Sequence, residues 1–262
     1  MMIDIGANLT HESFDKDRQQ VIQSALDVGV NTMIVTGSSE SCSQKAYELT
    51  QEFPDQLFST VGIHPHHADE YTGETEDLIL KLIQHDKVVA IGETGLDYFR
   101  DISPRETQIF SFEQHIKLAI ETQAPLFLHQ RDAHKDFYPI IKQHRDQISN
   151  LVVHCFTDNK QALFDYIDLD CHIGITGWVC DERRGLHLRE LVKNIPQHRL
   201  MIETDSPYLI PRDLKLKTRR NEPKHLPHIA QVMANLRSED LDEFNKNCEK
   251  TSLSFFGLDK LL

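Results

Sequence analysis

Short β-rich apolar runs recur eight times along the chain, and a stretch with helical spacing follows each. The runs are MIDIG (2–6), TMIVTG (32–37), LFSTVGI (57–63), VVAIGE (88–93), PLFLH (125–129), LVVHCF (151–156), HIGITG (172–177) and LMIETD (200–205). Continuous apolar runs of this length suit strands buried on both faces, as in parallel sheets. Between them, residues 17–29 set Val21, Ile22, Ala25 and Leu26 on one stripe. Residues 105–120 do the same with Ile109, Phe112, Ile116 and Ile120, and Ser103-Pro104 ahead of them reads as an N-cap with proline at the first helical position. Eight β-then-α units in 262 residues match the size and rhythm of a closed (β/α)8 TIM barrel. An open doubly wound sheet is the rival, but no GxGxxG opens the first helix. With no Pro/Gly/Ser-rich linker, low-complexity tract or short repeat, the expectation is one α/β domain over residues 1–262.

Composition narrows the class further. Apolar residues at 39% and charged residues at 26% are ordinary for a soluble globular protein. No apolar run reaches the roughly 18 residues of a membrane span. The start, MMIDIGANLTHESFDKD, has neither a basic region nor a continuous apolar stretch, so a cytoplasmic protein without a signal peptide is expected. Five cysteines at 42, 155, 171, 180 and 248 include no CxxC pair and read as reduced packing thiols, with neither a disulfide framework nor a thiolate zinc site suggested. A net charge of −13 argues against a surface that coats nucleic acid. The local exception is RDLKLKTRRNEPK (212–224), with six basic and two acidic residues.

In such a barrel the active site lies at the C-terminal ends of the strands. There the sequence has His64 after the third run, Glu93 after the fourth, His129 after the fifth, His154 after the sixth, and Glu203 and Asp205 after the eighth. Each has an ordinary structural explanation alone: a hydrogen-bonded rim histidine, a glutamate paired with arginine, an aspartate capping the turn before Pro207. Closure of the barrel would bring them round one axis. An isolated buried carboxylate is too costly to keep unpaired, so Glu93 is expected to ligate a metal. Imidazole with carboxylate suits a divalent ion such as Zn, Mn or Mg, and Asp205 is then placed to accept a proton from an attacking water.

Several stretches resemble one known family: VGIHPH (61–66), AIGETGLDY (90–98), HQRDAH (129–134), VVHCFT (152–157), IETDSPYL (202–209) and RRNEP (219–223). They are similar to the TatD family of metal-dependent deoxyribonucleases, within the amidohydrolase-like barrels, and the resemblance covers essentially the whole chain. GITGWVCDERRG (174–185) resembles the bacterial branch of that family. The resemblance implies a metal-dependent 3′→5′ exonuclease acting on single-stranded DNA and RNA ends, activated most often by magnesium, in the cytoplasm, with a part in repair after oxidative damage. It implies Glu93, His129, His154 and Asp205 as metal ligands, and His64 and Glu203 as residues lining the phosphate site. A monomer without membrane attachment is expected.

One departure stands out. The family commonly begins with HxH at the end of strand one, and both histidines bind a deeper metal. Here DIGANLT puts Gly6 and Asn8 in those places. Glycine offers no ligand and an amide oxygen is a weak one for a transition metal, so the deeper metal is expected to be weak or absent.

The basic stretch follows strand eight, on the side of the expected site. Arg212, Arg219, Arg220 and Lys224 are therefore expected to track phosphates, while Tyr98, Phe99 and Trp178 are equally candidates for base stacking or for packing. Asp181-Glu182-Arg183-Arg184 reads as an ion-paired rim loop, His66 and His67 as solvent-facing or supporting residues, and His225 and His228 as a solvated helix face. Two rival functions stay open: an amidohydrolase acting on an ester or amide such as an aminoacyl ester on tRNA, and a non-catalytic nucleic-acid-binding barrel, which only Gly6 and Asn8 favour.

Overall fold

The computed structural model describes residues 1–216 and 219–260, so Lys217 and Thr218 of the basic stretch lie outside the described residues. In chain order the elements are β1 (Met2–Ala7), α1 (Arg18–Leu26), β2 (Val30–Val35), α2 (Glu40–Glu52), β3 (Leu57–Val61), α3 (Gly73–Leu82), β4 (Val88–Asp97) and α4 (Arg105–Thr122). There follow β5 (Leu126–Arg131), α5 (His134–His144), β6 (Leu151–Val153), α6 (Lys160–Asp168), β7 (His172–Ile175), α7 (Leu186–Leu191), β8 (Leu200–Ile202), α8 (Leu226–Arg237) and α9 (Leu241–Phe256). All eight strands are parallel and pair in sequence order, β1 to β8. The ring closes just beyond β8. There Asp205 N donates to Gly6 O at 2.8 Å, Asn8 N donates to Ser206 O at 2.7 Å, and Ala7 bridges Ser206. The eight-unit barrel of the sequence analysis is present, and no described helix is long and apolar enough to cross a membrane.

Strand parity explains how a greasy barrel presents polar groups at one end. Ile3, Ile5, Ile34, Phe58, Phe127, Val152 and Met201 form one buried cluster, with Phe255 and Phe256 of α9 packed on it. Side chains two apart in a strand share a face. Two residues beyond Phe127, Val152 and Met201 come His129, His154 and Glu203, so the parity that buries the core side chain aims the polar one along the same inner face. The outer face packs on the helices through a larger cluster that includes Val21, Ile22, Phe112, Ile116 and Leu163. Ile109 and Ile120 of the expected α4 stripe are only partly buried against it.

Two local features differ from the sequence reading. β4 runs well past Glu93, to Asp97, and its pairing with β5 shifts register between Ile91 and Thr94. Such a bulge re-aims a side chain, here Glu93. Gly92 within it has φ +140°, and a Cβ there would meet Phe127 O at 2.1 Å, so only glycine lets β4 lie this close to β5. Second, Ser103 does not cap α4. Pro104 holds the cap position, and the Ser103 hydroxyl instead lies 3.0 Å from His66 O and 2.9 Å from an Asp69 carboxylate oxygen, fastening the start of α4 to the loop after β3. α4 also reaches inward through His115, which is fully buried. Its Nδ1 donates to Ser111 O at 2.7 Å, and its Nε2 accepts Ile63 N–H at 3.0 Å, beside His64.

Candidate active site

A single carboxylate oxygen is the hub of the cleft at the strand ends. Glu93 Oε1 lies 2.8 Å from His154 Nε2, 3.0 Å from His129 Nδ1 and 3.4 Å from His64 Nε2. The chain of polar contacts continues outward on both sides. His129 Nε2 is 3.2 Å from Asp97 Oδ2, which also meets His66 Nε2 at 2.9 Å. His154 Nδ1 is 3.2 Å from Glu203 Oε2, whose other oxygen accepts Cys155 N–H at 2.6 Å. Carboxylates and imidazoles therefore alternate across the floor, and each imidazole that faces Glu93 through one nitrogen is held by a carboxylate or a backbone N–H at the other. His64 Nδ1 accepts His66 N–H at 3.0 Å. The carboxylate partners of His129 and His154 fix ring orientation and raise ligand basicity, while the N–H at His64 Nδ1 fixes that ring only.

Charge follows this geometry. Burial alone would push the Glu93 carboxyl up, but the His64 and His154 imidazoles and the hydrogen bonds from His129 and His154 hold it well below the usual carboxylate range. Burial works against protonation of His154, yet the Glu203 and Glu93 carboxylates hold its imidazole well above the ordinary histidine value. His64, buried with only Glu93 and Asp97 in its favour and the His129 and His66 rings against it, lies well below that value. Asp205 behaves differently. Burial pushes it up to about 7, helped by the Glu93 and Glu203 charges and opposed by His154 and by the 2.9 Å hydrogen bond from Asn8 Nδ2. Its backbone φ of +51° lies in the left-handed region, which aspartate tolerates better than most residues.

The expected ligands are thus brought together unequally. Glu93, His129 and His154 converge, and all three line a cleft of about 740 Å³ together with His64 and Asp205. Within the cleft the tight groupings with metal-ligand spacing are His64–Glu93–His129 and His64–His66–Asp97, each with ligand atoms within 4.8 Å of one another. His64 therefore sits with the hub at the strand ends. Glu203 is fully buried beneath His154 and does not line the cleft, which corrects its expected place at the phosphate site. At the end of β1, a Cβ on Gly6 would meet Glu203 Oε2 at 2.3 Å, so the Glu203 carboxylate fills the space that a side chain at position 6 would need. The amide of Asn8 donates to Asp205 and does not face the hub.

The basic stretch divides in two. Arg212 and Arg219 line the cleft and also an adjoining groove of about 910 Å³. Arg212 Nε pairs with Asp181 at 3.1 Å, and the same buried aspartate holds Arg184 at 3.0 Å, so residues 181–184 do form an ion-paired rim. Arg220 and Lys224 do not reach the cleft. Arg220 bonds Asp17 at 2.7 Å and Glu222 at 2.9 Å over the Phe14 ring, and Lys224 pairs with Glu222, because these two acids draw both cations to the α1 side. Tyr98 is likewise drawn off, donating to Asp136 beneath Arg105. Phe99 and Trp178 do line the cleft, with the Arg131 guanidinium 4.8 and 4.9 Å from their ring centres. His225 is buried beside Asn221 and so is not on a solvated face, whereas His228 is part-exposed and pairs with Asp213.

Asp97 and Arg131 are cleft residues that sequence reasoning missed, whereas His66 takes the supporting place expected of it, 2.9 Å from Asp97 Oδ2. Asp97 stands four residues after Glu93, a spacing that shares a face only if β4 continues past the glycines.

The model of the family described as TatD related DNase matches residues 3–257. The chain belongs to the TatD family. A TatD protein of Erwinia billingiae, named 3′-5′ ssDNA/RNA exonuclease TatD, is 46% identical over 259 residues, covering 98% of this chain and 99% of its own. A Pantoea ananatis protein of the same name is 42% identical over 259 residues, with 98% and 100% covered. Among solved structures, a TatD family hydrolase of Entamoeba histolytica superposes with a TM-score of 0.88 at 30% identity, covering 97% of each chain. TatD membership agrees with the barrel.

Proposed function

We propose that this protein is a metal-dependent 3′→5′ exonuclease that hydrolyses phosphodiester bonds at the ends of single-stranded DNA and RNA. The observation that carries the reading is the Glu93 hub inside a chain whose full-length relatives are named for that activity. The donor set fits a divalent ion: three imidazole nitrogens and a carboxylate oxygen converge, and the nearby Cys155 thiol is pushed well up by burial and turned to Thr176. Glu93, His129 and His154 would hold the ion, with Asp205 completing the set; magnesium, the ion the family resemblance implies, is the one we propose in use, although imidazole nitrogens suit zinc or manganese as well. When bound, it supplies Lewis-acid polarisation of the scissile phosphate.

The chain's own groups do the rest. Asp205, in the cleft just beyond β8 and steadied by Asn8 Nδ2, accepts the proton of the attacking water. His64, whose Nδ1 accepts the His66 N–H, hydrogen-bonds a phosphate oxygen through Nε2–H. Glu203 works through His154 by holding its Nδ1, so it is a positioning residue. Arg212 and Arg219 steer the phosphates of the strand along the adjoining groove, and Phe99, Arg131 and Trp178 offer stacking surfaces for bases near the end. We further propose that the protein acts as a monomer in the cytoplasm.

The test uses a single-stranded oligonucleotide labelled at its 5′ end, beside one labelled at its 3′ end, in magnesium. A descending ladder from the 5′-labelled strand and immediate release of labelled mononucleotide from the other are expected. Inactivity on both strands, with turnover of acyl esters, would replace this reading by the amidohydrolase one.

A further inference from the structure

We propose that Cys180, Asp213 and His228 form a second metal site, outside the cleft, that takes a zinc-class ion. Three separate elements supply the ligands. Cys180 ends the 3-10 turn Gly177–Cys180 after β7, Asp213 lies in the segment after β8, and His228 sits in the first turn of α8. Their Sγ, carboxylate oxygen and ring nitrogen all lie within 4.8 Å of one another, and His228 Nε2 is 2.8 Å from Asp213 Oδ1. The turn and the segment after β8 are pressed together. A Cβ on Gly177 would meet Leu209 O at 2.5 Å and the Pro211 ring at 3.0 Å, so only glycine lets the turn approach residues 209–211 this closely.

The chemistry of the three differs from that of the cleft. Sulfur, imidazole and carboxylate together are zinc ligands, whereas the Glu93 hub is built of nitrogen and oxygen and the Cys155 thiol of the cleft is turned to Thr176. Among the described residues, no hydrogen bond engages Cys180 Sγ, although the residue is fully buried. Burial, with the Asp213 charge adding to it, pushes that thiol up to about 12. The bound ion would take the place of the thiol proton, which passes to solvent as the sulfur–metal bond forms. His228 and Asp213 are part-exposed, which gives an ion a way in and leaves a coordination position open to water.

The site would also bear on the cleft without touching it. Cys180 precedes Asp181 and Asp213 follows Arg212, and Asp181 and Arg212 are themselves paired. An ion between Cys180 and Asp213 therefore clamps both sides of the pair that holds the arginine at the cleft edge. No CxxC spacing announces such a site, because its ligands are 33 and 15 residues apart and meet only through the closure of the barrel.

Cobalt(II) provides a readout that does not depend on activity. Titrated into the full chain, it should develop a thiolate-to-cobalt charge-transfer band in the near ultraviolet, absent in Cys180→Ser and retained in Cys155→Ser. No band, or a band that follows Cys155, overturns the proposal. Should Cys180→Ser fail to fold, His228→Gln and Asp213→Asn serve instead. Each should weaken the titration by at least the roughly 10-fold lost with even an outer partner of a metal ligand, and unchanged titrations in both would overturn it.

Discussion

Glu93 shows how far single residues were legible. A carboxylate after a buried apolar run demands a partner, and three imidazoles surround it. The cations of the basic stretch show the opposite. Their sequence position put Arg212, Arg219, Arg220 and Lys224 on one side of the barrel, but the direction of a long side chain is decided by the nearest acid. Asp17 and Glu222 capture Arg220, and Glu222 captures Lys224. This difference is measurable. Arg212→Ala should weaken binding of a single-stranded oligonucleotide and flatten the slope of log affinity against log salt by about 0.7, the share of one phosphate contact. Arg220→Ala should leave that slope unchanged and lower the urea midpoint. A slope that changes in Arg220→Ala but not in Arg212→Ala would reverse the assignment.

At the scale of elements, the eight strand cores were readable because buried parallel strands are written as continuous apolar runs. Their ends were less so. Nothing in LDY after two glycines says that β4 continues, and Asp97 was missed for that reason. Contacts between elements were hidden too, as with His115, which reads as one more residue of the α4 repeat yet carries a backbone hydrogen bond of the segment bearing His64. Burial lowers the His115 pKa to about 4. The unfolded chain therefore binds a proton on this residue between about pH 6.5 and pH 4 while the folded chain does not, so stability falls as pH is lowered through that window and levels off below it. The loss attributable to this residue is about 3 kcal/mol at roughly 1.4 kcal/mol per pH unit. Urea unfolding at pH 7 and pH 4.5 should show a shallower loss in His115→Gln than in the parent. Equal losses would mean that the ring is protonated in place.

Taken whole, the molecule sets a small cationic edge against a net charge of −13. Such a surface repels nucleic acid except where Arg212, Arg219, Arg131 and their neighbours rim the cleft, which suits an enzyme that meets strand ends and leaves duplex uncoated. From sequence, Gly6 and Asn8 in place of the HxH histidines point to a deeper metal that is weak or absent. In the barrel, Glu203 fills the space beside Gly6 and orients His154, while Asn8 holds Asp205, so both departures are built into the remaining site. The most direct test is the rate of oligonucleotide degradation against magnesium concentration, after chelation, for the parent chain and Glu93→Gln. The parent should be inactive in chelator and recover with magnesium, and the variant should stay inactive at every concentration. Degradation that persists in chelator, or a variant that matches the parent, would contradict a metal-dependent centre built on Glu93.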